Sequence, residues 1–277
     1  MWFIVYGHGN VGVLSLRTDF ILNEKEFVEK AIQDHDLGKR PTLVLSLAAK
    51  LWNENGYSAK EISGMLEDLI IRSDPNASII RWQSSVDYAV KHRDKRKLLQ
   101  IDRLPITRLE MDICKTVGSV QKQRLLFTLF AIGKYEHCLN EKNEGWINTP
   151  DSKIFSMANV VTSVRRQSLL LNELMQVGYI SFPNNVDNIS MKLNYMDLDS
   201  PAFVYIDQME NLGNLYMYFT NPKYMKCTCC GKIVKKKANN QKYCKECARK
   251  VNIEKTASST RERLIQEEND DPVVTDV

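Results

Sequence analysis

Four cysteines in the C-terminal third of the chain have the spacing of metal ligands. Cys227 and Cys230 form one Cys-x-x-Cys pair, and Cys244 and Cys247 form a second pair after a spacer of 13 residues. Each pair can point two sulfur atoms inward, and structural Zn²⁺ is satisfied by four such ligands in a tetrahedron. Catalytic zinc normally keeps a nitrogen or oxygen ligand and an open water position. The pattern therefore predicts one structural zinc ion.

The residues between and after these pairs suit a zinc-binding loop. Gly231 permits the left-handed turn that such a loop needs. Lys232–Val234 and Gln241–Tyr243 are predicted to pair as a short hairpin. The second pair opens a predicted helix from Lys245 to about Glu268, because that stretch contains no Pro or Gly.

Cys229 is a further thiol beside the first pair. Two alternatives to a zinc site built only from the two pairs remain: one concerns Cys229 as a ligand, and the other concerns the role of the pairs themselves. Cys229 could compete with Cys230 as a ligand, but we predict that it is a spare thiol. The two pairs could instead serve thiol–disulfide exchange, although no thioredoxin-like strand and helix surround them.

The cysteine segment also carries most of the positive charge. Residues 221–255 contain 11 Lys or Arg and two Glu, a net charge of +9, whereas the whole chain has a net charge of +4. Such a patch attracts phosphates or an acidic protein surface. The predicted phosphate contacts are Lys232, Lys235, Lys236, Lys237, Lys242 and Lys245.

This segment resembles the treble-clef and zinc-ribbon modules of bacterial, phage and mobile-element proteins. The resemblance rests on Cys-x-x-Cys-Gly, on Lys-Tyr-Cys-x-x-Cys and on the basic helix that follows. It implies a structural zinc module that binds nucleic acid or protein, and it names no reaction. The rest of the chain shows no such resemblance.

Residues 119–197 have the element order of a winged helix-turn-helix domain: helix, short strand, helix, helix, hairpin. The predicted elements are 120–137, 145–148, 150–158, 163–178, 179–182 and 189–195. In such a domain the third helix enters the major groove, and Arg165, Arg166 and Gln167 could pair with base edges there. Lys192 is the cation of the wing. Winged helices also serve as protein-interaction modules, and residues 1–220 are nearly neutral overall, so this alternative stays open.

The first part of the chain is predicted to be a β-hairpin followed by helices. Residues 2–6 and 11–16 are β-rich, and the intervening Gly7-x-Gly9-x-x-Gly12 matches the phosphate-binding motif of dinucleotide folds. A dinucleotide site needs a helix directly after the third glycine, whereas strand residues follow here. We assign no function to the charged run 91–97, which is typical of a solvated helix end.

No catalytic constellation is found in the sequence, so a non-enzymatic role is expected. The four histidines are scattered, and Asp197 and Asp199 are predicted to form a turn rather than a metal site. Cys114 and Cys138 are predicted to be core or near-core residues. No apolar run approaches the length of a membrane span, and the N-terminus lacks signal-peptide features, which predicts a cytoplasmic protein.

These features together predict an α+β protein of four parts. The expected boundaries are 1–115 for a hairpin and helical domain, 116–220 for the winged helix, 221–255 for the zinc module, and 256–277 for a helical, acidic tail. The expected function is a zinc-containing protein that binds double-stranded DNA, as a transcription regulator or a replication accessory factor. The alternative is a protein-interaction adaptor or inhibitor that docks on a partner protein.

Overall fold

The computed structural model of the chain describes residues 20–183 and 190–270. It combines helices with small antiparallel sheets, which agrees with the predicted α+β class, and it divides into two compact units, Met1–Glu210 and Asn211–Val277. The predicted hairpin of residues 2–6 and 11–16, with its Gly7–Gly12 motif, lies outside the described residues.

Four helices make up the first part of the first unit. They are α1 (Glu24–Gln33), α2 (Pro41–Glu54), α3 (Ala59–Ser73) and α4 (Ile79–Lys91). Helix α3 begins at a capping box, in which Ser58 and Glu61 bond to each other's backbone N–H groups. Val28, Leu45, Leu66 and Val86 are buried in one shared hydrophobic core.

A buried carboxylate fastens the start of α1 to the chain segment after α4. Glu24 is 4 % exposed and accepts two bonds from the Arg96 guanidinium, at 2.6 and 2.7 Å. It also accepts a bond from the Leu99 N–H at 2.9 Å. Because all these donors converge on one buried carboxylate, its charge is compensated, and both ends of the helical layer are held together.

The next elements surround a central buried helix. They are β1 (Leu104–Thr107), α5 (Arg108–Thr116), α6 (Val120–Leu139) and, further along the chain, β5 (Ala202–Ile206). Strands β1 and β5 pair antiparallel, with Leu104 opposite Ile206. In α6 every residue from 125 to 136 is buried, so this part of the helix is covered on all sides.

A second helix-and-sheet group follows α6. It consists of β2 (Trp146–Ile147), α7 (Asp151–Met157), α8 (Val164–Gln176), β3 (Ile180–Ser181) and β4 (Met191–Leu193). The three strands form an antiparallel sheet in the order β2-β4-β3. Ser163 caps α8 by accepting a bond from the Arg166 N–H.

The second unit contains a small hairpin and a long helix. Its elements are α9 (Leu212–Thr220), β6 (Tyr224–Lys226), β7 (Ile233–Lys235) and α10 (Lys245–Asp270). Strand β7 pairs with β6, so the predicted pairing of Lys232–Val234 with Gln241–Tyr243 is wrong. The reason is that the first cysteine pair itself forms the tight turn between two strands. The segment 241–243 meets that turn instead, where Thr228 N–H donates to Lys242 O over 3.1 Å.

Within residues 20–183 and 190–270, no helix combines the length and the apolar character needed to cross a membrane.

Candidate functional site

The first pair of predicted metal ligands is positioned by the β6–β7 hairpin. Cys227 directly follows β6, and Cys230 lies in the turn that leads to β7. Gly231 has a φ of +72°, in the left-handed region that favours glycine, and its N–H donates to Cys227 O over 2.9 Å. This turn folds Cys230 back beside Cys227.

The second pair is positioned by the start of α10. Cys244 immediately precedes the helix and Cys247 lies in its first turn. All four Sγ atoms lie within 4.8 Å of one another, and those of Cys230 and Cys244 are 3.7 Å apart. Two sulfurs on a tetrahedral zinc ion, with bonds of about 2.3 Å, would be about 3.8 Å apart, whereas a disulfide needs about 2 Å. The four thiols can therefore hold a metal ion such as zinc.

Burial and backbone hydrogen bonds prepare this cluster for a metal. Cys227, Cys244 and Cys247 are buried, and Val234 and Tyr243 pack against them. Backbone N–H groups also point at the sulfurs: Cys244 N donates to Cys227 Sγ at 3.2 Å, and Cys247 N donates to Cys244 Sγ at 3.5 Å. Such donors stabilise thiolates, which are the form that binds a metal.

The thiols of the cluster differ in their acidity when no metal balances their charge. Backbone N–H groups of Cys230 and Cys244 lower the pKa of Cys227 to about 6. The neighbouring sulfurs of Cys230 and Cys244 raise the pKa of Cys247. The negative charge of one thiolate thus opposes the ionisation of the neighbouring thiols. A divalent cation bound between them would remove that repulsion.

Cys229 does not belong to the set of four converging sulfurs. Its side chain is exposed, on the turn between Cys227 and Cys230. This placement agrees with the prediction that Cys229 is a spare thiol.

The predicted phosphate-contacting lysines surround the cysteine cluster. Lys235 ends β7, Lys236 and Lys237 follow it, and Lys245 opens α10. All six predicted lysines are exposed except Lys236, which is half-buried. Lys232 Nζ lies 3.6 Å from Glu246 Oε1, and both side chains are largely exposed. For the other five, no ion pair is found with any residue that the structure describes.

Further exposed cations extend this basic surface beyond the predicted set. They are Lys223, Lys226, Arg249 and Lys250. Charge counting along the sequence includes them, but it does not separate exposed cations from paired ones.

The three residues predicted to contact bases on α8 differ in their surroundings. Arg165 is exposed. Arg166 is half-buried, and its Nη1 lies 3.0 Å from Glu173 Oε1, two turns further along the helix. Lys122 Nζ also contacts Glu173, at 3.2 Å, so that carboxylate is shared by two cations. Gln167 is half-buried, and its amide donates to Thr162 O at 3.5 Å.

Lys192, the predicted cation of the wing, lies on β4. Its Nζ is 3.4 Å from Glu144 Oε2 and 5.9 Å from the centre of the Trp146 ring. The ion pair and the ring hold this side chain beside β2. Residues 184–189, between β3 and β4 in the chain, lie outside the described residues.

The exposed face of α8 carries two further polar residues, of which the sequence analysis missed Asn172. Ser168 and Asn172 are exposed and follow Arg165 at helical spacing. Two apolar side chains are exposed beside them: Val161 is 97 % exposed and Val164 is 76 % exposed. The signal that could have identified Asn172 is the helical period, extended from Arg165 through Ser168 to position 172.

Two smaller predictions have different outcomes. Asp197 forms a turn as predicted, because its Oδ1 accepts bonds from the N–H groups of Asp199 and Ser200.

Cys114 is buried as predicted, but Cys138 is exposed. Cys138 lies in the last turn of α6, where the helix leaves the core.

No protein-family model, curated protein or solved structure that was compared with this chain matches it. The chemistry of the chain's own residues therefore carries the functional proposal.

Proposed function

We propose that this chain is a zinc-containing protein that binds double-stranded DNA. The observation that carries the proposal is the basic surface of the zinc module. Five lysines lie there without an ion pair to any described residue, around four sulfurs that can hold a metal. Cations presented in this way neutralise DNA phosphates and release the counterions bound to them.

The zinc ion has a structural role in this proposal. It would be bound by Cys227, Cys230, Cys244 and Cys247, which close a tetrahedron and leave no position for a reacting water. By joining the β6–β7 turn to the first turn of α10, the metal would fix the lysines of both elements in one surface.

The group from α6 to β4 would act as a winged helix-turn-helix that reads sequence. The order helix, strand, helix, helix, hairpin supports this assignment, as does the sheet order β2-β4-β3, in which the last strand lies between the other two. Helix α8 would then be the helix that enters the major groove. Arg165 is its most accessible cation, and Ser168 and Asn172 supply further hydrogen-bonding groups on the same face.

The phosphate contacts can be tested by removing three consecutive lysines together. We would measure binding to random duplex DNA by fluorescence anisotropy from about 50 to about 300 mM salt, comparing the unmodified chain with Lys235→Ala/Lys236→Ala/Lys237→Ala. If all three lysines contact phosphate, the slope of log affinity against log salt decreases by about 3 in this variant.

A matched control has the same change in net charge at another place. Lys91, Lys95 and Lys97 are exposed in and after the last turn of α4, and their replacement by Ala should leave the slope nearly unchanged. Equal losses in both triple variants would mean that only net charge matters, and the basic surface of the zinc module would lose its assigned role.

A second candidate function is a protein-interaction adaptor, and one observation favours it. The exposed apolar side chains of Val161 and Val164, at the start of α8, are typical of a surface that another protein covers. If the chain binds no DNA at any salt concentration, this candidate takes the lead. Partner capture from a host lysate that Val161→Ser/Val164→Ser abolishes would then support it.

A further inference from the structure

Two neighbouring aromatic side chains are exposed at the end of helix α9. Tyr218 is 41 % exposed and Phe219 is 36 % exposed. Their ring centres are 5.7 Å apart, and the ring planes are inclined at 56°. Helix α9 packs on β6 and β7, and its buried side chains include Leu212, Tyr216 and Met217. The packing of α9 thus leaves the rings of Tyr218 and Phe219 accessible to a ligand.

Two lysines lie beside the end of this helix. The chain turns directly after α9, where Tyr224 N–H donates to Asn221 O at 3.0 Å and Lys223 N–H donates to Asn221 Oδ1 at 2.9 Å. Lys236 N–H donates to Lys223 O at 2.7 Å, which places Lys236 next to the same turn. Neither lysine forms an ion pair with a residue in the described parts of the chain. This end of α9 therefore combines two aromatic rings with two cations.

Aromatic rings beside lysines are typical of surfaces that bind single-stranded nucleic acid. Every unpaired base can stack on an aromatic ring, and lysines contact the phosphates that join the bases. Inside a duplex the base faces are covered by their neighbours, so an exposed ring cannot reach them. Because the planes of Tyr218 and Phe219 are inclined to each other, each ring would stack on a different base.

We propose that Tyr218, Phe219, Lys223 and Lys236 form a binding site for single-stranded DNA. Each ring stacks on one unpaired base, and the two lysines contact the neighbouring phosphates. Charge favours a nucleic acid over an apolar protein surface as the ligand, because residues 221–255 carry a net charge of +9. The site goes beyond the proposed function, which concerns duplex DNA, and shares with it only Lys236.

Substitutions that remove the aromatic faces but keep apolar side chains test this site. Binding of the zinc-loaded full chain to a fluorescent oligothymidylate of about 12 nucleotides would be measured by anisotropy. Tyr218→Leu/Phe219→Leu should weaken this binding by about 30-fold or more, because each stacked base contributes a factor of at least about five. Tyr218→Phe/Phe219→Tyr keeps two rings and should retain the affinity within about twofold. An unchanged zinc content shows that each variant is folded.

Phe27→Leu/Tyr57→Leu is the matched control, because these two rings of the first unit are 39 % and 43 % exposed. It should bind the oligonucleotide as the unmodified chain does. The proposal is overturned if the unmodified chain does not bind oligothymidylate, or if the control or the ring-exchange variant loses as much affinity as the Leu variant.

Random duplex DNA, measured with the same variants, separates this site from the proposed function. The Leu variant should bind duplex as the unmodified chain does, and an equal loss on both probes would overturn the single-strand site. Binding to oligothymidylate without any binding to duplex would overturn the proposed function and still support this site.

Discussion

Lys134 Nζ lies 2.8 Å from Glu110 Oε2, and their side chains are only 4 % and 1 % exposed. Glu110 also accepts bonds from the N–H groups of Thr107, at 2.8 Å, and Asp197, at 3.2 Å. One carboxylate thereby joins α5, α6, the end of β1 and the turn that leads to β5. This buried ion pair therefore links those elements.

Removing the cation of this pair should strongly destabilise the fold. Lys134→Met keeps the length of the side chain but leaves the Glu110 charge buried without its cation. We expect the free energy of unfolding to fall by about 3–5 kcal/mol, measured by urea denaturation. Lys115→Met is the control, because Lys115 pairs with Asp112 at 2.7 Å with both side chains about half exposed. That variant should lose less than about 1 kcal/mol, and equal losses would show that the buried pair has no special role.

Two adjacent cysteines should respond differently to the same substitution. Cys230→Ser removes one of four converging sulfurs, so the purified chain should lose its zinc or bind it much more weakly. Cys229→Ser changes a sulfur outside that set and should keep one zinc ion per chain. Elemental analysis after dialysis gives both values. Zinc loss in Cys229→Ser together with zinc retention in Cys230→Ser would mean that Cys229 is the ligand and Cys230 is the spare thiol.

Zinc binding should weaken as the pH falls. The pKa values of the Cys247 and Cys227 thiols determine the pH range in which this happens. The pKa of Cys247 is raised, so this thiol is protonated in the metal-free chain near neutral pH and must release its proton on binding. The pKa of Cys227 is lowered to about 6, so its thiolate persists down to that pH and is lost below it. We expect zinc affinity to fall by at least about tenfold per pH unit below neutrality, and more steeply below pH 6. Competition with a chromogenic chelator at several pH values measures this, and a flat profile would contradict it.

Arg165 should contribute more to sequence preference than Arg166. Arg165→Ala removes an exposed guanidinium from the face of α8 that would meet base edges, so discrimination at one base position should fall by about 1–3 kcal/mol. Arg166→Ala removes a group that Glu173 already holds, and its effect should be smaller. Selection of binding sites from a random DNA library measures both. A larger loss for Arg166→Ala would mean that its ion pair opens on binding DNA.

Local signals in the sequence identified many of the elements correctly. The caps of α3 and α8, Ser58 and Ser163, can be read from the sequence, because a cap depends on residues only a few positions away. The four metal ligands could be predicted for the same reason, since their spacing is visible within 21 residues. The predicted helix beginning at Lys245 is also confirmed.

Contacts between distant segments could not be predicted in this way. The periodicity of β1 does not reveal that it pairs with β5, about 100 residues later. The error at residues 241–243 has another cause: β7 has a β-like segment on either side of it in the sequence, and in the structure it pairs with the earlier one, β6. The acidic partner of Arg166, Glu173, is only seven residues away in the sequence. The sequence still does not identify it, because the choice of partner depends on how the side chains pack in the folded protein.

The position of the second cysteine pair has a consequence for how α10 forms. The slowest and least favourable step in forming an isolated helix is its first turn. Several residues must lose conformational freedom there before a single hydrogen bond forms. Cys244 and Cys247 bracket that turn in α10. A metal bound by both would supply the helix nucleus, and the remaining turns up to Asp270 could then add one residue at a time. The availability of the ion would in this way control the formation of a helix most of whose length lies beyond its ligands.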